Sequence, residues 1–301
     1  MRADLLHLLS VLRVATTAQC YAVATPNAAS TRYVRRGLRA LQADGLADGT
    51  ATGRSGAMVW YLTSLGARSV AESEGRAAPR RRAISPALVR SGLLRHALDV
   101  TALAASFAPA GAEVGDWSVE KVHRYGRGGE LRLITDAVLQ IPEHPGRRLP
   151  TALLVELDRA TMSTDRLLGE LAAYADYARG LVTAPGGRRA RGLVPAHQRD
   201  YPGTERCPPV LVVLTGAEPA ALVRRADRLA RAVADRERAF EVVDIGVAIL
   251  ADLVEYGPLT RVVMPLDDPG VRVGVDRLAR REYETGDWSN RQTYLGREER
   301  V

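Results

Sequence analysis

Leu153-Leu154-Val155-Glu156-Leu157-Asp158-Arg159 is the stretch whose reading decides the fold. Its apolar beginning predicts a strand buried on both faces. Residues i and i+2 of a strand point to the same face, so Glu156 and Asp158 are expected side by side at the edge of a hydrophobic core. A third acid lies in Thr135-Asp136-Ala137-Val138, in the second half of a preceding strand read over residues 130–141. Carboxylates beside a core repel one another and resist desolvation. Three that converge call for a compensating cation, and hard oxygen ligands select Mg²⁺ or Mn²⁺. This is the composition expected of a metal-dependent phosphodiesterase site. The plainer reading is a strand that leaves the core in Glu-x-Asp, with Arg159 as salt-bridge partner, and the surrounding chain has to decide between them.

Composition bounds the answer. With 301 residues, 46% hydrophobic and 26% charged, the chain is globular and long enough for two domains. No apolar run reaches the length of a membrane span, so no membrane partner is expected. Asp4 and His7 interrupt the N-terminal apolar pattern, which argues against a signal peptide. Cys20 and Cys207 are far apart and make no metal-type spacing; they read as small buried hydrophobes in a reducing cytoplasm. Among 42 basic residues only Lys121 is a lysine. That looks like the codon bias of a high-GC bacterial genome, so arginine in place of lysine is weak evidence for phosphate recognition. The distribution of charge says more. Residues 1–95 carry a net charge of +9 and the remainder −2. A basic excess confined to the first third suits a segment that neutralises phosphates.

The first third also has a recognisable order. Residues 4–14 have helical apolar spacing, Thr16-Thr17 signals the cap of a short helix over 18–24, and Ser30 can cap a third helix over 31–43 that stops at Asp44-Gly45. A hairpin follows, 46–56 and 57–63. Three helices and a two-stranded wing are the pattern of a winged helix-turn-helix, expected over residues 1–72. Arg32, Arg35, Arg36 and Arg39 decorate the third helix and Arg54 the hairpin tip. Arg36 and Arg39 are placed to reach base edges and Arg54 a phosphate or the minor groove. The alternatives are a solvated helix face or a protein-docking module.

A basic linker is expected over 73–86, then a second domain over 87–266 and a charged surface tail over 267–301. The second domain reads as a helix over 88–107, strands over 114–125, 131–141 and 153–157, and a helix capped by Ser163 or Thr164. A strand over 210–214, a helix over 219–234 and strands over 242–250 and 259–265 complete it. The class is α/β within an α+β whole: a mixed sheet with flanking helices.

That order, with Asp136 on the second strand and Glu156-x-Asp158 on the third, resembles the PD-(D/E)xK nuclease core. The whole chain resembles the replication-relaxation family of actinobacterial plasmids and integrative elements. The resemblance rests on Leu62-Thr63 with Leu65-Gly66-Ala67, on residues 94–100, Thr135-Asp136-Ala137 and 156–161, on Leu171 with Tyr174 and Tyr177, and on residues 256–259. It implies plasmid DNA binding and a role in replication and relaxation. It also implies a relaxase-like site in which Asp136, Glu156 and Asp158 bind Mg²⁺ or Mn²⁺. The nuclease lysine is missing, since Asp158 stands in its place. Lys121 and Arg159 are the candidates to replace it electrostatically.

His96, His123 and His144 are weaker candidates, and Tyr174 and Tyr177 read as core residues with a tyrosine nucleophile as the sharp alternative. Two functions follow: a metal-dependent nickase, or a DNA-binding replication or transcription factor whose nuclease fold has lost catalysis. The expected partner is double-stranded DNA, with a second copy or other plasmid replication or transfer proteins as further candidates.

Overall fold

The computed structural model describes residues 1–25, 30–52, 56–75, 92–141, 149–183 and 192–278. The described residues divide into two compact units: 1–121 with 136–141, and 122–135 with 149–278. Arg54, His144, residues 76–86 of the expected linker and the tail from residue 279 lie outside the described residues.

The first unit begins with helix α1 (Arg2–Leu12), which buries Leu5, Leu8, Leu9 and Leu12. Strand β1 (Val14–Thr16) follows, within and just beyond a stretch whose spacing predicts helix. Helix α2 (Thr17–Ala24) starts in a reciprocal cap: the Gln19 N–H donates to Thr16 Oγ1 (3.1 Å) and the Thr16 N–H to Gln19 Oε1 (2.8 Å). Helix α3 (Arg32–Ala43) buries Val34, Gly37, Leu38 and Leu41 and turns out of the helix at Gly45, whose φ is 70°. Strands β2 (Ala47–Thr52) and β3 (Ala57–Leu62) form the expected hairpin, in register from Ala47 opposite Leu62 to Thr52 opposite Ala57. β1 pairs antiparallel with β3, so the sheet has three strands rather than two.

Two further helices complete this unit. The Leu65-Gly66-Ala67 segment is helix α4 (Ser64–Ser73), started by Thr63, whose Oγ1 accepts the Gly66 N–H at 3.1 Å. Helix α5 (Gly92–Phe107) packs on the N-terminal elements: Thr101 Oγ1 donates to the Val14 carbonyl (2.7 Å), and Gln19 Nε2 to the Leu98 carbonyl (2.8 Å).

The larger sheet has six strands in the order β11-β10-β9-β6-β5-β4. They are β4 (Trp117–Tyr125), β5 (Leu131–Gln140), β6 (Ala152–Asp158), β9 (Val210–Leu214), β10 (Ile245–Ile249) and β11 (Met264–Pro265). β6, β9 and β10 run parallel and β11 is antiparallel, so the sheet is mixed. The protein is of α+β class with this mixed sheet.

Helix α6 (Thr164–Arg179) follows β6 and begins at Ser163, whose side chain accepts the Arg166 N–H. The long polar stretch after it is partly structured: strands β7 (Leu181–Thr183) and β8 (Leu193–Pro195) form a short ribbon, and helix α7 spans Ala196–Asp200. Helix α8 (Pro219–Ala234) links β9 to β10 in a β-α-β unit and packs against α6. Short helices α9 (Glu237–Phe240) and α10 (Leu250–Tyr256) flank β10. The second of these begins at Leu250, where the expected strand ends. Residues 267–278, expected as surface tail, fold back instead: Val273 pairs with Val263, and Val275 and Leu278 are buried.

Cys20 and Cys207 are free and buried, and burial pushes each thiol up to about 12. Among the described residues no helix is long and apolar enough to cross a membrane.

Two glycines make opposite predictions. A Cβ on Gly66 would lie 1.9 Å from the Leu46 carbonyl oxygen, whereas one on Gly169, exposed within α6, meets nothing. Gly66→Ala should cost on the order of 2–3 kcal/mol through backbone displacement. Gly169→Ala should be neutral or add up to about 1 kcal/mol by removing a glycine from a helix. Thermal unfolding midpoints of the two variants check both signs.

Candidate functional site

The acids at the heart of the sequence reading each have a protein partner. Asp158 ends β6 with a fully buried side chain. Its Oδ2 accepts from Arg225 Nε in a short charge-assisted bond, and its Oδ1 accepts the Ala160 N–H at 3.0 Å. Arg225 projects from α8 and is itself buried. Both charges are removed from water, a state that only close pairing makes tolerable. Ala160 has φ 55°, so the chain reverses sharply after β6, and the Asp158 side chain holds that turn. On the neighbouring strand the Thr215 N–H donates to the Asp158 carbonyl at 2.9 Å.

Glu156 is half-buried on the same face, as its i, i+2 spacing requires. Tyr174 Oη of α6 donates to its Oε2 at 2.7 Å. Asp136 belongs to the first unit, where its Oδ1 lies 3.1 Å from His96 Nε2 on α5. Lys121 Nζ lies 3.4 Å from Gln140 Oε1, and Arg159 is half-buried in the turn after β6. Among the described residues no group of three or more His, Cys, Asp or Glu side chains is arranged to hold a metal ion. The donor set does not fit a three-carboxylate Mg²⁺ or Mn²⁺ centre, because Asp158 already has its counter-charge in a guanidinium.

Tyr174 and Tyr177 are both buried in the core. Tyr177 Oη donates to Asp200 Oδ2 (2.8 Å), and burial together with that carboxylate raises its phenol. Asp200 also receives Arg199, whose Nε donates to Oδ1 at 2.7 Å. His123 Nε2 meets Tyr201 Oη at 2.6 Å in the same buried cluster. These tyrosines and His123 act as core polar groups, and neither Tyr174 nor Tyr177 is exposed to attack a phosphodiester.

Helix α3 is built the other way round. Its apolar positions face α1, where Gly37 allows an approach so close that a Cβ there would stand 2.8 Å from Leu5 Cδ1. Arg32, Arg35, Arg36 and Arg39 are all exposed on the opposite face. The spacing i, i+3, i+4, i+7 makes them one stripe. With Ser30 and Thr31 they line a single shallow concavity. None of the four forms an ion pair with another described residue. Other arginines of the same unit are neutralised: Arg2 pairs with Asp44, and Arg13 with Glu120 at 2.5 Å.

A family model described as replication-relaxation matches residues 6–188, more than half of the chain. The chain belongs to the replication-relaxation family. No curated protein and no solved structure matches it significantly. The replication-relaxation match takes in α3 and the three acids but ends before Arg225. Arg225 is the site residue that sequence reasoning missed. A signal was present, since Arg225 falls on the apolar stripe of α8 formed by Leu222, Ala226, Leu229, Ala230 and Val233. An arginine on such a stripe requires a buried acid nearby.

The Asp158–Arg225 pair makes a direct prediction. Arg225→Ala leaves a buried carboxylate uncompensated and should cost about 3–5 kcal/mol, while the double variant Asp158→Leu with Arg225→Met should cost less than Arg225→Ala alone. Urea unfolding of the single and double variants measures this coupling.

Proposed function

We propose that the protein binds double-stranded DNA of a plasmid or integrative element and acts in its replication and relaxation in the cytoplasm. In this reading α1, α2 and α3 with the β2–β3 hairpin are a winged helix-turn-helix, and α3 is the element that enters the major groove. The observation that carries it is the stripe of four exposed arginines without acidic partners, in a chain that neutralises arginines elsewhere in the same unit. The +9 charge of residues 1–95 supports it, because phosphate neutralisation drives sequence-independent affinity. Arg36 and Arg39 take base edges, and Arg32 and Arg35 take phosphates. Arg54, outside the described residues, would add a phosphate or minor-groove contact.

The second unit serves in this reading as a nuclease-like scaffold. The partners of Asp136, Glu156 and Asp158 favour that over a metal-dependent nickase. The nickase reading keeps a clear test. Supercoiled plasmid incubated with Mn²⁺ or Mg²⁺ should stay intact, and nicking that is lost in Glu156→Ala would restore it.

Fluorescence anisotropy with the full chain and a labelled duplex tests DNA binding. Affinity should fall steeply with salt. Arg36→Ala with Arg39→Ala should weaken binding markedly, and Arg32→Ala with Arg35→Ala, which removes two phosphate contacts, should reduce the slope of log K against log salt by about 2. Affinity that ignores both salt and this double variant would remove α3 from the interface.

A further inference from the structure

We infer that α3 reads guanine, so that the site recognised by this chain is a short G-rich element; this rests on the DNA-binding reading of α3 above. The stripe from Arg32 to Arg39 covers seven helical steps, about 10 Å at ~1.5 Å per residue. That matches roughly three base pairs at ~3.4 Å each. The chemistry of the stripe is uniform. Arginine makes its specific base contact as a bidentate pair with guanine O6 and N7. Adenine is read by an asparagine or glutamine, and cytosine by an acid. α3 contains no asparagine and no acid, and its single amide is Gln42. Gln42 Nε2 is already donated to Asp48 Oδ1 at 3.1 Å, at the far end of the helix from Arg32.

Adenine and cytosine therefore have no reader on this helix. Tyr33 is 68% exposed and flanks the stripe beside Arg36, where an aromatic ring offers apolar contact to a thymine methyl. High-GC codon bias would explain arginine in place of lysine. It does not explain a recognition face without a free amide. Contacts to phosphates alone would give salt dependence and no base preference, so the two cases separate experimentally.

The test is selection of duplexes from a random-sequence pool by the full chain at about 0.15 M salt. Binding to the selected duplex is then measured with 7-deazaguanine at each enriched guanine and with 7-deazaadenine at the flanking adenines. The expected result is an enriched element of about three base pairs with up to two guanines, one for each of Arg36 and Arg39. Each effective 7-deazaguanine should weaken binding by about 5- to 100-fold, and 7-deazaadenine should leave it unchanged. Arg36→Ala with Arg39→Ala should erase the preference, whereas Arg32→Ala with Arg35→Ala should weaken all duplexes equally. Salt-dependent binding with no guanine enrichment, or with no response to 7-deazaguanine, overturns guanine readout and leaves DNA binding standing. Absence of binding to any duplex overturns both.

Discussion

The buried contact between Asp158 and Arg225 is the interaction on which the second unit depends. Taking a carboxylate and a guanidinium out of water costs several kcal/mol for each ion, and mutual attraction repays it only in good geometry. Here one carboxylate organises three elements. It ends β6, holds the left-handed turn at Ala160, and anchors α8 through Arg225. Its carbonyl receives Thr215, the residue that follows β9. The turn is tight enough that a Cβ on Gly216 would stand 2.6 Å from the Arg159 carbonyl oxygen, and Gly216 has φ 81°. A residue so engaged is poorly available to a metal ion, whose ligand set it would have to leave Arg225 to join.

Much of this architecture was legible in the sequence. Val210–Leu214 and Pro219–Ala234 are strand and helix over the residues read for them, because an unbroken apolar run and a proline at the first helical turn are strong local signals. Helix α3 was legible from its helical spacing, and the hairpin after it from the stop at Asp44-Gly45. What escaped was short or set by tertiary partners. β1 has three residues and exists because β3 offers it a ladder. α10 had no reading of its own, because Asp252 and Glu255 break the apolar pattern just past residue 250, where the expected strand ends. Val275 and Leu278 are buried in a stretch whose charge density reads as surface.

The candidate site divides along the same line. The same-face placement of Glu156 and Asp158 follows from strand geometry and is observed. Their partners do not follow from strand geometry, since these are Tyr174 eighteen residues away and Arg225 sixty-seven residues away. A motif of acids fixes where carboxylates stand. The residues packed over them decide whether they meet a cation, a phenol or a guanidinium.

Arginine shows this most clearly, because the chain uses one residue type for opposite purposes. On α8 the apolar stripe carries Arg225 into the core, so its charge must be matched inside the protein. On α3 the apolar stripe is Val34, Gly37, Leu38 and Leu41, and the arginines fall on the other side. Their charge is left unmatched within the described protein, and four like charges on adjacent turns repel one another. An anion laid along the stripe would relieve that repulsion. A polyanion with regularly spaced phosphates would do so over the whole length of α3 at once, whereas a single small anion would relieve only part of it.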